Sequence, residues 1–488
     1  MERERLPSLK TLSSLPNELI LHILRTFCLH CRDGSLDTPR TYSPATKHPR
    51  GEPCEYFLDV YALHSMSLVS RRFSALAQEI LYHEFIPAYG EACFGLQSDP
   101  SECDLRLVHF LRIVALNPGL AALVKRVYVS TEFLDRIPEA EAEAEAVLKD
   151  VAQSRNIKLS EFVGSFRDQW DPESRDQYRP AGDEMLGMLL ACLPRLKTLS
   201  LSGTPPRRGV PVSALRAAGV SALSIETLDI NVFDHTLNQE LDGVLELASS
   251  TIKNLCIDGC DVYRRSLLTG QGHFPNLRNL RIVNSRVIGS DLASFLSHCF
   301  RLQEFSYGCD LGCDDLLPSD AVKHLIRNKE SLQTLHLDHD DQCSASNRGH
   351  LAKLLAGLNS FPVLRNLLLS SRLLYHSTGG STEDDNVLTR LLPPSIVSLQ
   401  VTVAKDRVVD VLPRLGGGLL RLAQAVSQGR FPNLKRVTLN GYALDIAFAG
   451  AGVVRLRIQG FDHSITVGLG GESLPGWFAG ALDYPSEL

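Results

Sequence analysis

The sequence lacks the short motifs of common catalytic sites. It contains no P-loop, no dinucleotide-binding glycine pattern, no GxSxG elbow and no HExxH. We therefore expect no catalytic residue and no cofactor, and we do not expect an enzyme.

The chain also has no apolar run close to the length of a membrane span, and its first residues, MERERLPSLK, are charged rather than signal-like. Asn-x-Ser/Thr sequons are absent, so we expect a cytoplasmic or nuclear protein with no membrane partner.

An excess of basic residues is missing as well. Fifty lysines and arginines face 56 acids, which leaves a formal net charge of −6 and argues against a general nucleic-acid binder. The 44% hydrophobic and 22% charged residues are typical of a globular protein, and 488 residues suffice for several domains or one extended array. The twelve cysteines are spread through the chain, so we expect most of them to be small buried apolar residues.

Two helical patterns lie near the N-terminus. Ser14–Phe27 carries an apolar stripe at helical spacing, with Pro16 in the first turn, where a missing amide proton costs nothing. In Leu58–Phe85, Ser70 is a credible N-cap for a second helix that has its own apolar face. A helix pair this short cannot cover its apolar surface alone, so it needs a third helix or a partner protein.

The residues of these patterns resemble the F-box over positions 12–85. The matching residues are Leu15-Pro16-x-Glu18-Leu19-x-x-x-Ile23-Leu24, followed by Leu68-Val69-Ser70-Arg71-Arg72-Phe73-x-x-Leu76-Ala77. In that family a small helical module docks onto the Skp-type adaptor of cullin–RING ubiquitin ligases. The resemblance implies that the following residues contact the adaptor or pack the helices that present the contact: Leu15, Pro16, Glu18, Leu19, Ile23, Leu24, Leu68, Val69, Ser70, Arg72 and Phe73. The alternative is a plain N-terminal helical cap.

The two halves of this pattern are separated by an unusual segment. His30–Tyr56 contains four prolines and predicts an inserted loop at about residues 30–56. Such a loop would disturb adaptor binding if it kept the two helical halves apart.

An apolar-x-x-apolar-x-apolar pattern recurs from Val124 to Ile458. From Leu199 onward its middle positions are separated by 29, 27, 25, 25, 30, 32, 32, 38 and 19 residues. Most of these short strand patterns follow a helical segment. The array looks like leucine-rich repeats, which implies an α/β solenoid with a curved parallel sheet on the concave side and helices on the convex side. A doubly wound α/β sheet is the alternative.

The pattern also suggests domain boundaries. We predict an F-box module at 12–85, a linker with the first repeat at 86–130, a solvated helical or partly disordered insertion at 131–182, the solenoid at 183–460 and a C-terminal cap or tail at 461–488. The insertion contains the run EAEAEAEA at Glu139–Ala146, which favours a helix but offers little apolar surface.

Strand residues between the buried leucines would face the concave side and bind a protein substrate. Acidic residues lie in the early repeats and basic residues in the last ones, a sign change that suits a protein better than a uniform polyanion. The residues predicted to contact a substrate are Asp229, Asp258, Arg281, His336, Asp338, Arg436, Arg455 and Arg457.

Two clusters carry other chemistry. Cys28-x-x-Cys31, with His48 and Cys54 downstream, has the ligand types of a zinc site, but the second half lacks a paired spacing, so we predict no metal. His336–Asp341 is rich in acids and histidines, but the strand period turns His336 and Asp338 outward, which favours a recognition patch over catalysis.

Together these patterns predict the non-catalytic substrate receptor of a ubiquitin ligase. Its partners would be a Skp-type adaptor, through it a cullin–RING ligase, and a protein substrate on the solenoid. The alternative is a leucine-rich repeat interaction scaffold with a vestigial F-box.

Overall fold

The structure is a computed structural model, and it describes most of the chain in separate segments. These are residues 12–32, 55–86, 100–130, 141–167, 181–202, 210–231, 242–259, 273–285, 287, 289–309, 318–339, 355–375, 386–403, 408–440, 444–449, 453–458 and 464–468. The chain divides into two compact units, Met1–Leu316 and Leu317–Leu488.

The first unit combines an N-terminal group of helices with alternating helices and short strands. Its helices are α1 Asn17–Arg25, α2 Leu29–Arg32, α3 Glu55–Ser67, α4 Arg71–Leu81, α5 Pro100–Leu116, α6 Pro118–Ala121, α7 Glu141–Arg155, α8 Leu159–Arg167, α9 Ala181–Cys192, α10 Val212–Ala217, α11 Asp242–Ala248 and α12 Gly289–Leu296. Its strands are β1 Glu84–Phe85, β2 Arg126–Ser130, β3 Thr198–Ser202, β4 Thr227–Asn231, β5 Asn254–Asp258, β6 Asn279–Val283 and β7 Glu304–Cys309. A 3-10 turn at Leu12–Ser14 precedes α1.

The strands of the first unit form a parallel sheet whose order follows the chain from β1 to β7. A doubly wound sheet would reverse its strand order at a switch point, and this sheet does not. The register aligns the same apolar position of successive repeats, and the aligned residues are all buried: Leu199, Leu228, Leu255, Leu280 and Phe305. The α/β class and the parallel sheet predicted from the sequence are confirmed.

The segment predicted to be a solvated helical or partly disordered insertion contains the helix α7, but this helix is packed rather than solvated. In α7, Ala144, Val147 and Val151 are fully buried, and the helix lies against α5 and α9. These residues recur at the spacing of one helical face. The run of alternating glutamates hides that face in the sequence because alanine, which fills part of it, counts little as an apolar residue.

Polar side chains connect successive repeats along the sheet. The Asn279 amide donates to the Asn254 side-chain oxygen at 2.6 Å, and the Asn254 amide donates to the Thr227 hydroxyl at 2.9 Å. We call these three residues the amide ladder. One residue earlier, Glu226 accepts from Lys197 and, at 2.6 Å, from Lys253. Burial alone would raise the pKa of Glu226, but these two lysines hold it below its ordinary value.

The helical group continues directly into the sheet. Only Tyr82 and His83 separate the end of α4 from β1. The His83 carbonyl accepts hydrogen bonds from the amides of Lys125 and Arg126, at 2.7 and 3.0 Å. The next strand residue, Phe85, stacks on Phe110 of α5, with ring centroids 4.0 Å apart.

The second unit continues the alternation with fewer helices. Its helices are α13 Pro318–Leu325, α14 Ser371–Leu374, α15 Val387–Leu391 and α16 Val408–Ser427, with 3-10 turns at Ile326–Asn328 and Leu355–Ser360. Its strands are β8 Thr334–His339, β9 Asn366–Ser370, β10 Ser398–Thr402, β11 Arg436–Asn440, β12 Leu444–Ala449, β13 Val453–Ile458 and β14 Ser464–Gly468.

The parallel arrangement ends at β11. Strands β8 to β11 pair parallel and align the repeat positions Leu335, Leu367, Leu399 and Val437. Strands β12, β13 and β14 pair antiparallel, so the prediction that Val453–Ile458 forms a further parallel repeat is wrong. The physical reason is connection length: three residues join β11 to β12 and three join β12 to β13, which permits a hairpin but no crossover helix.

Several predicted features fall outside the described residues. They are most of the 30–56 insertion with His48 and Cys54, the acids Asp340 and Asp341, and the tail beyond Gly468. Within the described part of the chain, no helix has both the length and the apolar character needed to cross a membrane.

Candidate functional site

The N-terminal helices α1, α3 and α4 form a small module with its own core. We call residues 12–86, as far as they are described, the helical module. Its core consists of Ile20, Leu24, Cys28, Leu63, Phe73, Leu76, Ala77 and Ile80. Residues from both sides of the 33–54 segment meet in this core, so the insertion does not keep the two helical halves apart.

Specific polar contacts fix the start of α4 beside the start of α1. The Ser70 hydroxyl accepts from the Phe73 amide at 3.3 Å and so caps α4. The Arg72 guanidinium donates to the Asn17 side-chain oxygen at 2.7 Å and to the Leu15 carbonyl. The turn before α4 and the first turn of α1 are therefore neighbours on the surface of the module.

Large apolar side chains are exposed around this junction. Leu68 and Val69, in the turn between α3 and α4, are 74% and 63% exposed. On α1, Leu19 is 50% exposed and Ile23, one turn further along the same face, is 39% exposed. The two segments are neighbours on the module, and contiguous exposed apolar patches mark interaction surfaces in soluble proteins. We call these four residues the apolar surface of the module.

The residues predicted to contact an adaptor fall into two sets. Exposed ones are Pro16, Glu18, Leu19, Ile23, Leu68, Val69, Ser70 and Arg72. Leu24 and Phe73 are buried in the module core, and Leu15 is partly buried against it. The second set holds the helices together and is not available for direct contact.

Sequence reasoning missed two exposed residues on α3. Leu58 is 51% exposed and Tyr61 is 64% exposed, and their spacing of three places them on one helix face. Leu63, in contrast, points into the module core. The sequence does contain a clue to this exposed pair. Leu63 lies in the core, and Leu58 and Tyr61 are additional apolar residues of the same helix.

A cluster of sulfur and nitrogen atoms lies on another part of the module. The thiol of Cys31 is 3.3 Å from Nδ1 of His83 and 3.7 Å from Nδ1 of His30, and the thiol of Cys28 is 3.9 Å from Nδ1 of His83. The hydrogen bond between the two thiols lowers the pKa of Cys31 and raises that of Cys28. Sequence reasoning paired these cysteines with His48 and Cys54 and missed His83, which is 52 residues from Cys31.

In the first unit, the predicted substrate contacts differ in exposure. Asp258 and Arg281 are partly exposed, but Asp229 is only 4% exposed. In β4 and β5, four of the five residues are buried, so both faces of these strands are covered. Asp229 is therefore not presented to a partner, contrary to the expectation for a concave-face residue.

The environment of Asp229 strongly alters its titration. Burial raises its pKa to about 7, and the nearby Asp258 contributes, whereas a hydrogen bond with the Cys256 thiol and the charge of Arg281 act in the opposite direction. The carboxyl oxygen Oδ1 is buried and has no hydrogen-bond partner among the described residues.

In the second unit, His336 and Asp338 lie on β8 and are partly exposed, while Leu335 and Leu337, which alternate with them, are buried. The predicted strand alternation is confirmed there. Arg436 is exposed at the start of β11. Arg455 and Arg457 lie on the antiparallel strand β13, where Arg457 is opposite Asp445 in the backbone register, so they do not continue the parallel row that the sequence suggested.

A comparison of the chain with protein-family models finds no match, and neither does a comparison with curated proteins. The features that bear on function are therefore those of the molecule itself. They are a closed three-helix core, an apolar surface at the start of α1 and α4, and a parallel sheet with partly exposed charged residues.

Proposed function

We propose that the chain is the substrate receptor of an SCF-type ubiquitin ligase. The observation that carries the proposal is the apolar surface of the helical module, at positions where the sequence resembles an F-box. Leu19, Ile23, Leu68 and Val69 remain exposed although the module already has a complete core. A Skp-type adaptor that covered them would remove their apolar area from water, at roughly 25 cal/mol per Å².

The polar residues around the apolar surface support a docking role. Glu18 lies beside Leu19 in the first turn of α1, and Arg72 is held by its bonds to Asn17 and Leu15. A hydrophobic centre with a polar rim is the usual anatomy of a protein interface. Arg72 would act mainly by keeping α1 and α4 in register, so that Leu19 and Leu68 are presented together.

The α/β units would hold the substrate. In the proposed leucine-rich repeat architecture, Asp258 and Arg281 in the first unit and His336, Asp338 and Arg436 in the second offer side chains of both signs. The contribution of such a receptor is proximity: a substrate lysine and a charged thioester held in one complex react at a higher effective concentration. No chemical step is required of the chain.

The direct test is binding of the full-length chain to a purified Skp-type adaptor. We expect the parent to bind and the double variant Leu68→Asp/Val69→Asp to bind at least about 30-fold more weakly, because an interface centre of this kind contributes at least 2 kcal/mol. Both residues are exposed, so the substitutions leave the module core intact. Substitution of Leu15 would be a poorer test, since Leu15 packs against that core.

Phe300→Asp is the matched control. Phe300 is an apolar residue of the first unit that is 67% exposed and lies far from the helical module in sequence, so its substitution should leave adaptor binding unchanged. Circular dichroism of all three proteins checks that they are folded. A folded parent that does not bind the adaptor would overturn the proposal and favour an interaction scaffold with a vestigial F-box.

A further inference from the structure

The cluster of Cys28, His30, Cys31 and His83 brings four metal-ligand side chains to one point. We propose that these residues form a structural zinc site at the junction of the helical module with the first strand of the sheet. The site is independent of the proposed ligase function, because none of its residues belongs to the apolar surface.

The spacing of the four donor atoms matches a single zinc ion. All of them lie within 4.8 Å of one another, and the individual distances of 3.3, 3.7 and 3.9 Å link Cys31 to His83, Cys31 to His30 and Cys28 to His83. Tetrahedral zinc with bonds of about 2.0–2.3 Å places its ligands about 3.3–3.8 Å apart. The side chains therefore need only small movements to reach coordination distance.

The chemistry of the donors favours zinc over other divalent ions. Two thiols and two imidazoles form the Cys₂His₂ set of structural zinc sites, whereas magnesium and calcium prefer oxygen ligands. Four protein donors complete the tetrahedron and leave no open position for substrate, which excludes the usual catalytic arrangement. Cys28 is 1% exposed and the other three residues are partly buried, so the protein partly shields the site from solvent.

The backbone holds the ligands in place from both sides. The amides of Cys31 and Arg32 both donate to the Cys28 carbonyl, at 3.1 and 3.0 Å. These bonds close a tight turn in which both thiols lie on the side of His83. The His30 amide donates to a Glu84 carboxylate oxygen at 3.2 Å. His83 is fixed through its own carbonyl, which accepts hydrogen bonds from the amides of Lys125, just before β2, and of Arg126, the first residue of β2.

The position of the cluster indicates what the metal would do. Three ligands precede residues 33–54 and the fourth follows α4, so one ion would join the two halves of the helical module across that segment. A cross-link that closes a long loop lowers the entropy of the unfolded chain and so stabilises the folded one. The ion would also tie the module to β1, which begins immediately after His83.

The test uses the full-length chain, purified under reducing conditions without chelators and equilibrated with Zn²⁺. Mass spectrometry of the metal content should give one zinc per chain after gel filtration. With Co²⁺ as the probe, we expect the intense visible bands of tetrahedral cobalt and a thiolate-to-metal charge-transfer band. In competition with a chromophoric chelator, Cys31→Ser and His83→Gln should each weaken zinc binding by at least about 100-fold.

Matched controls exist for both substitutions. Cys192→Ser removes a buried free thiol elsewhere in the first unit, and His64→Gln removes an exposed imidazole of the same module, so both should bind zinc as the parent does. If the variants fail to fold, the cobalt spectrum of the parent still decides the matter. A thiolate-free octahedral spectrum, a parent without zinc, variants that bind as tightly as the parent, or a Cys28–Cys31 disulfide that persists under the reducing conditions of the purification would each overturn the proposal.

Discussion

The buried carboxyl of Asp229 makes the stability of the first unit depend on pH in an unusual direction. The ordinary pKa of an aspartate side chain is 3.8, and the pKa of Asp229 in the folded chain is about 7. Because the folded-state pKa is the higher one, the folded protein holds this proton more tightly than the unfolded one. The stability that the protonated form provides is therefore fully present below pH 3.8 and is lost progressively as the pH rises through 7.

The magnitude follows from these two values. Linkage gives a loss of about 1.5–2 kcal/mol at pH 5 and about 4 kcal/mol at pH 8, relative to a carboxyl that stays protonated. Asp229→Asn replaces this carboxyl with a neutral group of the same size that can still accept from the Cys256 thiol. We therefore expect the stability of the variant relative to the parent to increase by about 2–3 kcal/mol between pH 5 and pH 8.

The assay is urea unfolding at pH 5 and pH 8, followed by circular dichroism, for the parent and the variant. Asp150→Asn is the control, since the Asp150 side chain is 56% exposed. Its substitution should change the free energy of unfolding by the same amount at both pH values. A difference between Asp229→Asn and the parent that is the same at both pH values would refute the reasoning, because it would mean that Asp229 titrates near its ordinary pKa.

Three further predictions concern the packing of the first unit. Ser70→Ala removes the N-cap of α4 and should cost about 1 kcal/mol in unfolding free energy, with rescue by Ser70→Asp. Gly243→Ala would place a methyl group 2.2 Å from a backbone carbonyl oxygen and should lower stability by about 3 kcal/mol, whereas Gly119→Ala, with nothing within 4 Å, should change it by less than about 1 kcal/mol. Asn254→Ala breaks the amide ladder and should cost about 1–3 kcal/mol, seen as faster amide hydrogen exchange in β5. If Gly243→Ala were as stable as Gly119→Ala, or if exchange in β5 were unchanged in Asn254→Ala, the corresponding contact would be contradicted.

Local periodicity was enough to predict the parallel sheet. Leucines such as Leu199 and Leu228 recur at the same place in each repeat, and their alignment is fixed because a slip of one residue would turn them to the other face of the sheet. The antiparallel end of the second unit needed a different clue. The apolar pattern at Val453–Ile458 is the same as elsewhere, and only the shortness of the connections reveals the hairpins.

The candidate sites were predicted less completely, because they depend on contacts between distant residues. The sequence pattern marked Leu19 and Leu68 together with Leu24 and Phe73, but it could not separate those that face solvent from those that fill the core. His83 follows α4, and no sequence motif links it to Cys28 and Cys31. Its place beside them results from the packing of α4 on α1, which a search for nearby ligands along the chain does not reveal.

The two-residue junction between α4 and β1 has a mechanical consequence. A flexible linker would let the helical module sample many orientations, with a spread of distances that grows with linker length. Here, rotation of the module would have to break the pairing of β1 with β2 and separate Phe85 from Phe110. The module and the sheet of the first unit are therefore rigidly connected, and a protein that docked at the start of α1 would be held at a set distance and angle from the strands.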